Sequence, residues 1–416
     1  MAEVPTSLRI YIVGAGLCGL TAAVALRRQG HQVDILESSL MNKEIGAAIT
    51  VQANAMRVLE HLGYNPVNLK GVDFFGTMRF SGSGGEGTEN RFLIPKDEMA
   101  RAGWLCHRTD LHDELKRLAI GEDGVGPPAR LHLGQEVVFC DAVAGKVTLK
   151  NGEVCEADLI LGCDGIRSMI RTSVLGYAQP PLPSGISTFR CLFNAEKLEG
   201  LDDMDWFTKG MSGARTVTSP EKRFRMLFLF PCRKGSLINV VAHHVDDREQ
   251  DSLKRNETVS VEEVVDEFQG FHYRYLKFLQ LAEQPILRWQ LLALPILPTW
   301  INGRTALLGD AAHGTLPTMG QGAGMALEDA AAIGCLIPSG TKPEDIPKRL
   351  EAYEKLRKSR GEFVNRESLE QATVPSKRGV YARSKEMQEF LIGYDAVGTA
   401  QNYYAQNFGT CRIIMM

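Results

Sequence analysis

Leu8 to Val13 (LRIYIV) runs straight into Gly14-Ala15-Gly16-Leu17-Cys18-Gly19, and no other stretch of this 416-residue chain limits its fold as strongly. A short apolar run of this kind predicts a fully buried strand. The following LTAAVALRRQ predicts a helix with small residues on its packing face, and Gln32 to Leu36 a second strand ending at Glu37. Strand, GxGxxG, helix, strand and terminal acid is the dinucleotide-binding order. Gly14 permits the tight turn, Gly16 lets a pyrophosphate reach the Gly14-Ala15-Gly16 backbone, and Gly19 allows close packing of helix on strand. Glu37, 18 residues after Gly19, is placed to accept hydrogen bonds from ribose hydroxyls. Gly82 to Gly87 matches the same bare pattern but lies between strand-like runs with no helix after it, so it reads as a hairpin tip. With no convincing second unit, a nicotinamide cofactor would have to bind elsewhere and only transiently.

Two further stretches repeat the theme of an acid at a strand end. Leu307 to Asp329 (LLGDAAHGTLPTMGQGAGMALED) reads as a buried strand ending at Gly309-Asp310, a loop through Pro317, and a helix of small residues starting near Gly320. Asp310 suits polyol hydroxyls, because a carboxylate accepts strong charge-assisted hydrogen bonds. Gly320, Gly322, Ala323 and Gly324 let a ligand approach backbone N–H groups at the positive end of a helix. The alternative is a capping Asp and a glycine-rich turn. Ala157 to Gly162 (ADLILG) delivers Cys163-Asp164-Gly165-Ile166-Arg167-Ser168 in the same manner.

Length favours two domains. A net charge of -3 and scattered basic residues give no case for a nucleic-acid partner. The densest basic cluster, Lys348 to Arg360, is interleaved with Glu351 and Glu354, the pattern of a solvated helix face. Nine dispersed cysteines without a CxxC suggest reduced thiols and argue against dithiol-disulfide chemistry. No signal peptide or transmembrane run is apparent, so a cytoplasmic protein is expected; no metal site is read, and monomer and dimer stay open.

Between the motifs, Ala47 and Ala48 fall in a small-residue loop (GAAI), followed by a helix from Gln52 to Leu62. Arg108 precedes a helix capped by Thr109 or Asp110 and suits a phosphate or polyol oxygen, with a surface ion pair as the alternative. Leu131 to Cys140 and Lys146 to Leu149 read as hairpin strands. From Pro180 the texture changes: Ile186 to Asn194, Arg225 to Pro231, Leu237 to Val245 and Ile286 to Leu294 predict a mostly antiparallel sheet. On the first of these, Phe189, Cys191 and Phe193 alternate with Ile186, Thr188, Arg190 and Leu192 on the opposite face. Arg190 is then either an ion-paired cation or a cation in a cavity. If Leu237 to Val245 borders the cavity, one of His243 and His244 faces it, since neighbours point oppositely; surface or core histidines are the alternative. Lys348 to Gln371 predicts a long charged helix.

Together the three motifs resemble the FAD-dependent aromatic hydroxylases of the p-hydroxybenzoate hydroxylase type. Gly14-x-Gly16-x-x-Gly19 is similar to their FAD fingerprint, Cys163-Asp164-Gly165 with Arg167-Ser168 to their DG motif, and Gly309-Asp310 through Gly322 to their GD motif. GAAI and HRTDLH (His107 to His112) are similar to the salicylate-hydroxylase branch, which includes fungal enzymes of secondary metabolism. The resemblance implies a Rossmann-like FAD-binding domain (residues 1–71, 101–179 and 295–345), an inserted, mostly antiparallel β-sheet substrate domain (72–100 and 180–294) and a C-terminal helical segment (346–416). It implies a single-component monooxygenase that spends NADPH or NADH and O2 to oxygenate a small phenolic aromatic through a peroxy adduct at flavin C4a, with or without loss of a carboxylate. Epoxidation or dearomatising oxidation of an indole or polyketide is the alternative, and an FAD-stabilised interaction module the non-enzymatic one. Glu37 would bind the adenosine ribose, Arg108 the ribityl-pyrophosphate arm, and Asp310 the ribityl chain. Asp164 and Gly165 would serve both FAD and the nicotinamide. Ala47 and Ala48 would lie near the cofactor, and Gly322, Ala323 and Gly324 would face the flavin pyrimidine edge. Arg190 becomes the catalytic candidate. Relatives often carry Asn where this chain has Gly324.

Overall fold

The computed structural model describes residues 6–41, 47–93, 103–248, 256–378 and 384–409; Gly46 of the GAAI loop lies outside them. Arg9–Val13 is flanked by Leu159–Gly162 and Gln32–Glu37, both parallel to it. Thr305–Leu307 and Arg130–Leu133 extend the sheet on either side, and Ile301–Asn302 closes it as an antiparallel edge. Covered on both faces, its central strands need no polar alternation, which is why they read as continuous apolar runs. The register matters most. Val13 lies opposite Leu36 and Gly162, and Gly162 lies opposite Leu307. Parallel strands ending level bring Gly14, Asp164 and Asp310 to one row at the carboxyl ends, where open α/β sheets bind ligands.

Helices Leu17–Arg27 and Gly322–Leu336 pack against each other over this row. Their small residues allow it, since a Cβ on Gly334 would lie 2.6 Å from that of Ala25.

The second sheet has eight strands in the order Asn256–Val259, Ile286–Ala293, Leu182–Asn194, Leu237–Val245, Arg225–Cys232, Ala214–Thr218, Gly76–Ser81 and Gly84–Arg91. All neighbours are antiparallel except Ala214–Thr218 with Gly76–Ser81. The Gly82-Ser83 turn joins the last two strands, as the hairpin reading required. Phe189, Cys191 and Phe193 pack under Phe268 and Phe278 of the covering helical segments. The alternate face, with Thr188 and Arg190, turns toward the first sheet. Bridging the two, Ala48–Gln52 pairs with Gly103–His107, which also pairs with Val72–Asp73.

Three expectations are corrected. Leu131 to Cys140 is not one hairpin strand: Arg130–Leu133 joins the parallel sheet, and only Val137–Asp141 pairs with Lys146–Leu149. Gly134, at φ 71°, turns the chain between them. The Arg108–Ile120 helix is capped by His107, not by Thr109 or Asp110; Asp110 instead accepts from Arg233 Nε at 2.9 Å. The third concerns Ile346–Thr373, whose charged face is solvated only in part, with Lys348, Glu351 and Lys355 exposed. Arg357 and Arg360 are buried, Arg357 Nε 2.8 Å from Asp329 and Arg360 Nε 2.8 Å from Glu328. Beyond it, Lys385–Ile392 and Ala396–Phe408 bury Leu391, Ile392 and Ala400. Among the described residues no helix is long and apolar enough to cross a membrane.

Burial pushes the Glu328 and Asp329 carboxyls up, but the Arg360 and Arg357 cations beside Glu328, and His313 and Arg357 beside Asp329, hold both below their usual range. Arg357→Ala should therefore cost about 3–5 kcal/mol, because it strands buried charge. A urea midpoint series checks this. Folded values below the unfolded ones mean the contribution is complete above the ordinary carboxylate range and is lost as pH falls through the folded values. The gap between wild type and variant should therefore narrow in acid.

Candidate active site

The three fingerprint glycines do different work. A Cβ on Gly14, which has φ 102°, would meet the Cys163 carbonyl oxygen at 2.5 Å, and one on Gly19 would meet the Gly14 carbonyl oxygen at 2.0 Å. At Gly16 the added atom finds nothing within 4 Å. Two of the glycines are thus demanded by the fold, and the third leaves open space for a ligand. Glu37 braces the loop: Oε2 accepts from Ala15 N and Oε1 from Ser39 N, both at 2.8 Å. A carboxylate has further lone pairs to offer to hydroxyls.

Asp164 is divided between two tasks. Its Oδ2 accepts from Met169 N at 2.8 Å and Ile170 N at 3.1 Å, tying down the turn that starts the Ile170–Leu175 helix, while Gly165 makes the turn at φ 76°. Its Oδ1 is buried and has no partner. Burial raises the carboxyl despite these hydrogen bonds. Asp310 opens the short Asp310–His313 helix after Gly309, whose φ is 59°. Its side chain reaches solvent, but protein crowds it closely enough for desolvation to raise its carboxyl, against the His313 and Arg108 charges. It is an acid at the bottom of a cleft.

Arg108, Ala47, Ala48 and Asp310 come together there. Arg108 N donates to Ala47 O at 2.9 Å, and Ala48 N donates to Asn239 Oδ1 at 3.1 Å, joining the small-residue loop to the eight-stranded sheet. Nearby, Gly322–Leu336 begins with no acid in its first turn. The N–H groups of Gly322, Ala323 and Gly324 have no intrahelical acceptor and carry the positive end of the dipole. A Cβ on Gly324 would lie 3.0 Å from Asn54 Nδ2, so Asn54 holds the space that a larger side chain would need. Open space over Gly16, an unpaired Asp164 oxygen, a cleft acid and an acid-free helix start fit phosphates, a polyol and an electron-rich ring in sequence. That is the layout of FAD.

The sheet face opposite is continuous. Trp289, Thr188, His243 and Met226 lie in one row, and Leu287, Arg190, Val241 and Phe228 in the next. Arg190 has no carboxylate within 4.0 Å among the described residues, its Nε is buried without an acceptor, and its guanidinium lies 5.4 Å from the Trp289 ring centroid. Burial, aided by the neighbouring Arg108 cation, pulls its pKa down to about 10. Of the two histidines, His243 shares this face. Burial, then Arg190 and His244, pull it down to about 3, so it is neutral. His244 points away and stacks on Phe189 at 4.5 Å. Beside these rows lies a cavity. Thr50, Gln52, Met319 and Gly320 wall it on the cleft side, and Phe228 and Arg79 on the sheet side. Arg190 does not line this cavity; it sits two strands along, beside Arg108.

Several residues carry the site without any local signal. Asn239 is one. Asp329 is another: its Oδ2 accepts from Gly309 N at 2.9 Å and pairs with His313 Nε2 at 2.6 Å, which makes His313 a loop support. Among the described residues no cluster of three His, Cys, Asp or Glu could hold a metal, and the eight described cysteines are free.

Residues 140–368 match a family described as FAD binding domain, and residues 12–50 one described as NAD(P)-binding Rossmann-like domain. The chain is 44% identical to the hispidin-3-hydroxylase of Neonothopanus nambi over 406 residues, covering 95% of this chain and 96% of that protein. It is 32% identical to the FAD-dependent monooxygenase cfoG of Aspergillus candidus, over 86% of this chain and 83% of that one. Among solved structures, CtdE in complex with FAD and a substrate superposes with a TM-score of 0.79 at 20% identity, over 96% of this chain and 98% of that one. A salicylate hydroxylase substrate complex gives 0.75 at 24%, over 95% and 97%.

The glycine geometry separates ligand binding from folding. Gly16→Val should purify folded but colourless, because the new side chain occupies only the open space above the loop. Gly19→Val should fail to fold. Absorbance near the flavin bands and far-UV circular dichroism on both variants check the pair.

Proposed function

The chain belongs to the FAD-dependent aromatic hydroxylases of the p-hydroxybenzoate hydroxylase type, and from that premise we propose that it inserts one oxygen atom into hispidin or a closely related hydroxylated aromatic. The stoichiometry is NAD(P)H, a proton, O2 and the aromatic going to NAD(P)+, water and the hydroxylated product. The observation that carries this reading is the shared wall of the cavity: Met319 and Gly320 belong both to it and to the loop that leads into the Gly322 helix start, and Gln52, also in the wall, donates to both of their carbonyls. A ring lying in the cavity therefore rests against the segment that holds the cofactor.

FAD, when bound, supplies the relay of electrons from nicotinamide to O2 and the delivery of one oxygen atom. The chain's own residues bind, orient and polarise. Glu37 holds the adenosine ribose, Arg108 the pyrophosphate-ribityl arm and Asp310 the ribityl hydroxyls. The Gly322 to Gly324 N–H groups stabilise negative charge on the ring without reorganising. Arg190, a cation with an unpaired N–H and a desolvated charge, lies two strands beyond the cavity lining. It therefore holds a phenolate oxygen of a substrate long enough to reach from the cavity to it, and that anionic form raises electron density at the carbon to be oxygenated. A substrate carboxylate would use the same cation, and carbon dioxide would leave if it sat on the attacked carbon. His243, being neutral, adds no competing positive charge next to Arg190.

Purified protein should be yellow, oxidise NADPH or NADH faster when hispidin is added, and yield a product one oxygen heavier by mass spectrometry. Arg190→Ala should retain FAD and fold while kcat/KM falls by roughly 10²-fold or more, with Arg190→Lys in between. Unchanged turnover in Arg190→Ala would remove that residue from the reaction, and colourless protein that takes up no FAD would remove the whole proposal.

A further inference from the structure

A line of side-chain amides runs from a buried ion pair to the cavity wall, where it meets the loop before the helix. Arg360 donates to both oxygens of Glu328, at 2.8 and 2.9 Å. Asn54 Nδ2 donates to Glu328 Oε1 at 2.6 Å and to Gln321 Oε1 at 3.0 Å. Gln321 Nε2 donates to Gln52 Oε1 at 2.7 Å, and Gln52 Nε2 donates to the carbonyls of Met319 at 3.1 Å and Gly320 at 3.4 Å. Thr50 Oγ1 adds a second donor to Gly320 O at 3.1 Å. Glu328, Asn54, Gln321 and Gln52 are all buried.

The direction of this line is set at both ends, since the Glu328 carboxylate and the Met319 and Gly320 carbonyls can only accept. An amide is nearly symmetric in shape and can turn over, exchanging donor for acceptor. A carboxylate held by two cations stays ionised and only accepts. Asn54 must therefore turn its NH2 to Glu328, which leaves that same NH2 for Gln321 Oε1. Gln321 must then donate to Gln52, and Gln52 must donate to the loop. The cost shows at Asn54 Oδ1, which is buried with no donor; turning Asn54 over would set its oxygen against two acceptors instead. The effect falls on the loop, where the Met319 and Gly320 carbonyls are held back into the protein.

We propose that Glu328, Asn54, Gln321 and Gln52 are positioning residues. As a polarity-locked amide relay, they keep the Met319 and Gly320 carbonyls turned away, so that the helix start presents N–H donors alone to the FAD ring. The inference rests on the reading that this helix start faces that ring. It also gives Gly324 a reason, since a side chain there would displace Asn54, the joint between carboxylate and amides.

Removing donor capacity anywhere along the line should let loop carbonyls approach the ring and disfavour its reduced, negative form. The test is the affinity of the holoenzyme for reduced relative to oxidised FAD, obtained from the flavin midpoint potential in dye-coupled equilibration. Gln52→Met and Gln321→Met, neutral and of similar length, should each lower that ratio by fivefold or more. The double variant should be no worse than the stronger single, because both break one line. Ala323→Pro serves as reference: it removes one helix-start N–H at a position where proline is tolerated, after a glycine that has no Cβ to clash. If Ala323→Pro lowers the ratio while both Met variants leave it within twofold of wild type, the relay is refuted and the facing helix start stands. If Ala323→Pro leaves it unchanged too, the reading of the helix start fails, and the relay with it.

Discussion

The Asp329 carboxylate is the contact on which the site depends most. It is fully buried, and its two oxygens are divided between Gly309 N and His313 on one side and Arg357 on the other. One group thus fixes the end of the Thr305–Leu307 strand, the loop after Asp310 and the Ile346–Thr373 helix against each other. A buried carboxylate is costly unless every oxygen is matched. Here the matching is complete, and it is achieved only when three distant segments are in place. The neighbouring Glu328, with Arg360 and Asn54, extends the same logic toward the cavity.

Around that point the two sheets make complementary contributions. The parallel sheet delivers its motifs by register: Val13, Gly162 and Leu307 end level, so the loops that follow must share one crevice. The eight-stranded sheet contributes by alternation. Phe189, Cys191 and Phe193 are consumed by the helices behind it, which forces Thr188 and Arg190 forward. The Asn239 to Ala48 hydrogen bond ties the eight-stranded sheet to the three-stranded sheet that bridges it to the parallel one.

Charge is arranged with the same economy. Arg108 and Arg190 stand beside the cleft without any carboxylate near Arg190 among the described residues, although two like charges so close repel. Asp310 faces the same cleft with its carboxyl raised by desolvation. Such a site is electrostatically incomplete by itself, and it gains most from an anionic, hydroxyl-rich ligand.

The sequence by itself determined the nucleotide-binding unit, the three strand-end motifs and the period-two face that bears Arg190. These follow from local rules: glycines where the backbone needs positive φ or close approach, apolar runs where both faces are buried, and alternation where one face is. It misread Arg357 and Arg360, since a cation interleaved with glutamates looks solvated until the tertiary fold brings Glu328 and Asp329 against it. Local sequence also joined Leu131 to Cys140 into one strand, because sheet membership is a long-range property. Only the tertiary structure decided that His243 and not His244 shares the Arg190 face, that Asn239 reaches Ala48, and that Asn54 occupies the room beside Gly324. Each of these is a contact between residues far apart in the chain. Their chemistry is visible in the sequence, and their partners are not.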